Sequence, residues 1–288
     1  VPDPTRAQAR VILAGGHESA EGTELERFAR PGGDAVAVDR GRRLRDRTVE
    51  ALDEERSVVV VPMTFGRDPT LVADVAKSLR WIARTSPGSV ALAAPFGTQD
   101  HLVAHLRTAA RRVAAQDPGA ALVIVARASN PFDDAELHRL AHLVRVYGSG
   151  LEVVPAAVVD GPGLNPTLER LHTLGFRRAA VVPAGFAESM TIERSSSIDI
   201  EAEWYGPLTS DAVVGRTVAD RVATAVHDLG HGQDGIDRGL AADHGHGYAH
   251  SHAVTGAEHG TSDGHHEHHH EHHHDHPHGV PHLSAAHP

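Results

Sequence analysis

The sequence predicts an α/β protein made of two tandem, similar, Rossmann-like parallel-sheet halves facing across a cleft, followed by a disordered histidine-rich tail. Three observations carry this reading. Short apolar runs alternate with longer stretches of helical spacing, and the alternation is written twice. In addition, 18 of the 25 histidines fall in the last 58 residues, where large apolar side chains are nearly absent. Alternating strand and helix patterns build a parallel sheet covered on both faces. A segment without large apolar side chains cannot form a packed core. The expected boundaries are 1–117 and 118–229 for the two halves and 230–288 for the tail.

The elements follow in order. "RVILAG" (10–15), "DAVAVD" (34–39), "SVVVVP" (57–62) and "SVALAAP" (89–95) are apolar on consecutive positions, as strands buried on both faces are. Between them, "LRDRTVEALDEE" (44–55), "DPTLVADVAKSLRWIAR" (68–84) and "QDHLVAHLRTAARRV" (99–113) have helical spacing, and Asp68 before Pro69 is a helix-start signature. The second copy supplies "ALVIVAR" (121–127), "LEVVPAAVVD" (151–160), "RRAAVVPAGF" (177–186) and "IDIEAEWYGPL" (198–208). From Val36 to Phe65 the copies align without a gap at an offset of 121, which pairs Asp39 with Asp160, Pro62 with Pro183 and Phe65 with Phe186.

Composition excludes several classes of function. The net charge is −11, and from Gly230 onward eight acids face one base, so the body carries −4 and lacks a nucleic-acid footprint. No run approaches the roughly 18 apolar residues of a membrane span. "VPDPTRAQAR" has no apolar stretch of the secretory kind, and cysteine is absent, so a cytoplasmic location is expected. Without thiolates, a metal must be held by imidazole and carboxylate, which suits divalent cobalt, nickel, zinc or iron. There is no G-x-x-x-x-G-K-[ST], no G-x-G-x-x-G after the first strand and no G-x-S-x-G, so no nucleotide is expected.

Ligands of open parallel sheets bind beyond the carboxyl ends of the strands. His17, in "LAGGHESA", follows the first strand and is the candidate metal ligand and proton acceptor. Asp39, after the second strand, is either its carboxylate partner or a helix cap. His101 follows the fourth strand and is a second candidate ligand. Arg40, Arg42 and Arg43, in "DRGRRLRDR", would clamp substrate carboxylates bidentately. Glu18 is expected to be exposed on its loop. His105, His138, His142 and His172 lie in helical patterns as surface residues. In the tail, "HHEHHHEHHHDHPH" (265–278) places His265, His266, His268, His269, His270, His272, His273 and His274 among acids, a composition suited to metal binding.

These segments resemble the class II tetrapyrrole chelatases of the CbiX type, the sirohydrochlorin cobaltochelatases, over roughly residues 10–229. "LAGGHESA" is similar to the family's strand-G-H-G-S segment, and "IVARASNPFDDAELHRLAHLVR" to its second-copy G-R-G-S-x-D-P segment. "RLHTLGFRRAAVVPAGF", "APFGTQDHLVAHL" and "YGPLTSDAVV" resemble further family segments. The resemblance implies a chelatase-like fold of two similar halves. It also implies ATP-independent insertion of a divalent metal, cobalt first, into sirohydrochlorin in cobalamin (tetrapyrrole) biosynthesis. By position, His17 matches the first metal-site histidine of the family and Asp39 the usual glutamate. The second site histidine falls on Thr70, while Asp74 keeps a later aspartate. With that histidine missing, His101 is expected to supply the imidazole. The alternatives are a nickel or iron chelatase, or a non-catalytic metal-storage and delivery protein on a degenerate chelatase body.

Overall fold

The computed structural model of the chain describes residues 9–29, 34–147, 149–158, 163–193 and 198–242. Asp160 and every histidine from His244 onward, the 265–274 cluster included, lie outside the described residues. Among the described residues, eight parallel strands form two four-stranded sheets. The first holds β1 (Arg10–Gly15), β2 (Ala35–Asp39), β3 (Val58–Pro62) and β4 (Val90–Leu92) in the order β2-β1-β3-β4. The second holds β5 (Ala121–Arg127), β6 (Val153–Val158), β7 (Arg178–Pro183) and β8 (Glu201–Trp204) in the same order, β6-β5-β7-β8. The expected α/β class, with one sheet pattern used twice, is what the chain adopts.

Local chemistry sets the elements. All five residues of β3, "VVVVP", are buried, as a strand covered on both faces requires. The helices α1 (Arg42–Asp53), α2 (Pro69–Thr85) and α3 (Gln99–Gln116) follow the strands of the first half. Those of the second are α4 (Pro131–Val146), α5 (Asn165–Thr173) and α6 (Asp211–Gly230). At the start of α2 the Asp68 side chain accepts from the Leu71 amide with Pro69 in the first turn, and Asn130 and Pro131 repeat the device at α4.

The register refines the repeat. Ala14 lies opposite Pro62 and Val125 opposite Pro183, so β3 and β7 correspond as the gapless alignment has them. On that basis Ile12 corresponds to Val123; Ile12 faces Val36, whereas Val123 faces Val154. The second strand of the second half is therefore shifted by three residues from the gapless alignment. The same register places Ala128 at the position of His17.

The two sheets share one core. Repeat partners Phe65 and Phe186 stack with ring centroids 5.0 Å apart, and Phe96 packs edge-on against both at 5.1 and 5.2 Å. The helix after β4, α3, packs against α4 and β7 of the second half, while α6 packs against β3 and β4 of the first. Leu13, Val61, Leu122, Ile124, Val182 and Val214 consequently belong to one buried cluster.

The expected tail boundary at residue 230 needs correction. A last helix, α7 (Ile236–Ala241), lies against α2 and β4, with Ile236 only 3% exposed. The Leu92 amide donates to the Asp234 carbonyl at 2.7 Å. Gly235 permits this approach: its φ is +74°, and a Cβ there would meet the Leu92 carbonyl oxygen at 2.2 Å. The composition of 230–242 concealed these two apolar anchors, Ile236 and Leu240, among charges.

Candidate functional site

β1 ends at Gly15, and the chain turns at once into a short 3-10 turn, His17–Ser19. Ala20 and Glu21 then take left-handed φ values of 50° and 52°, conformations that cost energy for residues with a Cβ. The turn presents two neighbouring side chains to different environments. His17 faces a cleft, whereas Glu18 points into the protein and is 4% exposed, not solvated as its loop position suggested.

Glu18 organises the loop after β3. Its carboxylate accepts from the amides of Phe65, Arg67 and Asp68, each at 2.9 Å, and from the Thr64 hydroxyl. Buried carboxylates persist where such donors replace water. Loop 64–68 is thereby fixed, and with it Asp68, which is 2% exposed.

Asp68 has two jobs. Oδ1 caps α2 through the Leu71 amide at 3.1 Å and accepts from Arg40 Nη1 and Thr70 Oγ1, both at 3.2 Å. Oδ2 accepts from the His17 amide at 3.3 Å and lies 3.2 Å from His17 Nδ1, with Asp133 Oδ2 farther off at 3.9 Å. Burial pushes the pKa of His17 down, but the hydrogen bond to Asp68 and its charge push it up by more, so the net shift is upward. Burial also works against an ionised Asp68. The His17 hydrogen bond and charge, with Arg40, overcome it and hold the carboxyl at about 2.

With Nδ1 directed at Asp68, His17 Nε2 is buried and has no hydrogen-bond partner in the protein. In the neutral ring, an Nδ1–H donated to a carboxylate leaves the Nε2 lone pair to accept a proton or bind a cation, the carboxylate raising its basicity. The cleft beside it encloses about 240 Å³. Its walls come from both halves: His17, Glu18 and Arg67 from the first, Arg127, Met190 and Trp204 from the second. Glu24 also lines it; burial raises its pKa, against the opposing pull of Arg127 and Arg27.

Of the residues expected to bind metal or substrate, His17 lines this cleft, whereas Asp39, His101, Arg40, Arg42 and Arg43 do not. The carboxylate of Asp39 accepts from the Gly41 amide at 2.7 Å and closes the turn before α1, whose N-cap is Gly41 with no side-chain cap, so Asp39 neither caps the helix nor reaches His17. His101 is exposed at the start of α3. Its Nδ1 accepts from the Thr98 amide at 3.3 Å in a capping box, which uses the imidazole locally. Arg40 is held by Asp68 and Thr70, while Arg42 and Arg43 are exposed on the first turn of α1, Arg42 lying 3.6 Å from Asp46. Thr70 supports Asp68 and brings no imidazole. Among the described residues no group of three or more His, Asp or Glu side chains is arranged to hold a metal ion.

Asp68, Glu18, Asp133 and Arg67 were not picked out as functional residues. Asp68 carried a signal, but the helix-start signature explained it fully. Adjacent His17 and Glu18 in a glycine-flanked turn were the one further hint.

No protein-family profile matches the chain, and no curated protein sequence does. Among solved structures, SirB from Bacillus subtilis with Fe3+ aligns at 14% identity over 79% of this chain and 99% of that one, with a TM-score of 0.48. No helix among the described residues is long and apolar enough to cross a membrane.

Proposed function

We propose that this chain inserts a divalent metal, cobalt first, into sirohydrochlorin or a close relative, without a nucleotide. The observation that carries the reading is His17: Nδ1 is held by Asp68, Nε2 is buried and unpartnered, and the residue lines a cleft between two repeated α/β halves. Metal insertion requires removal of two pyrrole protons and loss of water from the cation. Nε2 of the neutral ring is the group that accepts a proton or meets the metal on its way to the macrocycle. Asp68 fixes the ring's orientation and tautomer, and Glu18 fixes Asp68 through loop 64–68. The ordered motifs that resemble class II chelatases support the same reading, with the metal as substrate. Within it, the histidine-rich tail raises the metal concentration near the cleft by tethering, and catalysis stays with the body.

A second reading, metal storage and delivery on a non-catalytic body, is favoured by Thr70 at the position of the missing histidine and by the local use of His101 as a cap. One assay separates the two. The purified full-length chain is mixed with sirohydrochlorin and each of cobalt, nickel, iron and zinc in turn, and the macrocycle absorbance is followed. Catalysed insertion of at least one metal supports the enzyme. Stoichiometric metal binding without acceleration by any of the four supports storage.

A further inference from the structure

Arg67 has no part in the chemistry assigned to His17, yet its placement is costly. It is 1% exposed, on the fixed loop after β3, and its side chain reaches across the halves to line the cleft. Nη1 donates to the Ala184 carbonyl oxygen at 3.2 Å, which anchors one corner of the guanidinium. Nε and Nη2 are buried and have no hydrogen-bond partner in the protein. The nearest acid in sequence, Asp68, is occupied by His17, Arg40, Thr70 and Leu71, and Glu18 by four donors of loop 64–68. Buried N–H donors without an acceptor cost stability unless a ligand supplies one.

The two unpartnered nitrogens are not a random pair. Nε–H and the adjacent Nη2–H lie on one edge of the planar guanidinium and point the same way, the fork that takes a carboxylate through two parallel bonds. The cleft that Arg67 lines also holds Ser189, Thr191, Val125, Val158 and Trp204.

We propose that Arg67 is the anchor for a carboxylate carried on an apolar, planar-bodied small molecule bound in the cleft. The assignment rests on the reading of the cleft as a substrate site and adds the group that fixes the substrate's orientation. The carboxylate lies against the Nε/Nη2 edge, and the apolar body lies toward Trp204.

Benzoate is the probe, with benzamide as its neutral isostere and inorganic phosphate as the competing oxyanion. Binding is read from Trp204 fluorescence in the full-length chain carrying Trp81→Phe; Trp81 is 72% exposed and is the chain's other tryptophan. Benzoate perturbs Trp204 and raises the unfolding temperature of the otherwise wild-type chain, and benzamide does neither. Arg67→Met weakens benzoate binding by about tenfold or more, as loss of a charged hydrogen-bond pair does. Arg67→Lys loses most of it too, since an ammonium cannot span both oxygens. Arg67→Met should also unfold no earlier than the parent, because it removes two buried N–H groups that lack acceptors; a purely structural arginine would show the reverse. Benzoate and benzamide binding alike, unchanged benzoate affinity in Arg67→Met, or tighter Arg67-dependent binding of phosphate than of benzoate would each overturn the assignment. Should Arg67→Met fail to fold, the wild-type contrast between benzoate and benzamide and the Arg67→Lys affinity decide it. Arg67-dependent benzoate binding in a protein that inserts no metal keeps the anchor and removes only the chelatase reading.

Discussion

Asp68→Asn tests the electrostatics of the site. Asparagine keeps the volume, and as an equally good N-cap it keeps the bond to the Leu71 amide. The substitution removes the negative charge and the Oδ2 acceptor that faces both the amide and Nδ1 of His17. The Asp68 carboxyl is held at about 2 against an ordinary value of 3.8, and each unit is worth about 1.4 kcal/mol. Because Asp68 is 2% exposed, solvent screening removes little of this, so the variant should lose about 2 kcal/mol of stability near pH 6. The signs fix the pH window. A lowered carboxyl pKa stabilises the fold above the ordinary value, and that contribution disappears as pH falls through about 2. A raised histidine pKa stabilises the fold below the ordinary value of 6.5 and is lost as pH rises through the folded value. The penalty of Asp68→Asn should therefore be largest at pH 5–6 and shrink toward pH 9 as His17 loses its proton. Urea unfolding at the two pH values measures it. Imidazole NMR titration, with His17→Gln to assign the signal, should show the His17 pKa falling in the variant, since the Asp68 hydrogen bond and charge that oppose burial are lost. An equal penalty at pH 6 and pH 9, with an unmoved His17 titration, would refute the coupling.

Other consequences are equally direct. Phe65→Ala, at the stacked junction of the halves, should cost about 3–5 kcal/mol in urea unfolding. Both halves should still unfold in one transition, because their core is shared. Gly185→Ala places a Cβ 2.5 Å from the Glu18 carbonyl oxygen and should cost about 1–3 kcal/mol, with loss of His17-dependent activity as the turn is displaced. Truncation after Ala242 should keep the maximal rate at saturating metal and bind fewer divalent ions per chain. Truncation after Leu229 should lower the unfolding temperature as well, since it removes α7 from the first sheet.

The fold was legible where the signal is local. Consecutive β-branched runs, helix caps such as Asp68-Pro69, and the repeat from Val36 to Phe65 placed the eight strands and the three helices of the first half. Three features were not legible, each for a physical reason. Glu18 is buried because the chain folds the amides of loop 64–68 over it, and no local pattern announces donors 46 to 50 residues away. Arg67 looks like a surface cation in its own segment; only the approach of Ala184 from the second half encloses it. Residues 236–241 hide two apolar anchors in a polar stretch. Asp39 and His101 stood at the right ends of the right strands, but each could satisfy a neighbouring backbone amide instead, and each does. Strand-end position narrows the candidates, and long-range hydrogen bonding then selects among them.

The central claim is that His17, oriented by Asp68, is the reactive group of a metal-inserting cleft. It is tested most directly by the rate of cobalt insertion into sirohydrochlorin at saturating metal for wild type, His17→Ala and His142→Ala. His142 is exposed on α4, near Arg145 and away from the cleft lining. A lost acid–base group typically lowers a rate about 10²–10⁴-fold. The account predicts a fall of that size for His17→Ala and a wild-type rate for His142→Ala. Equal rates for wild type and both variants would contradict it.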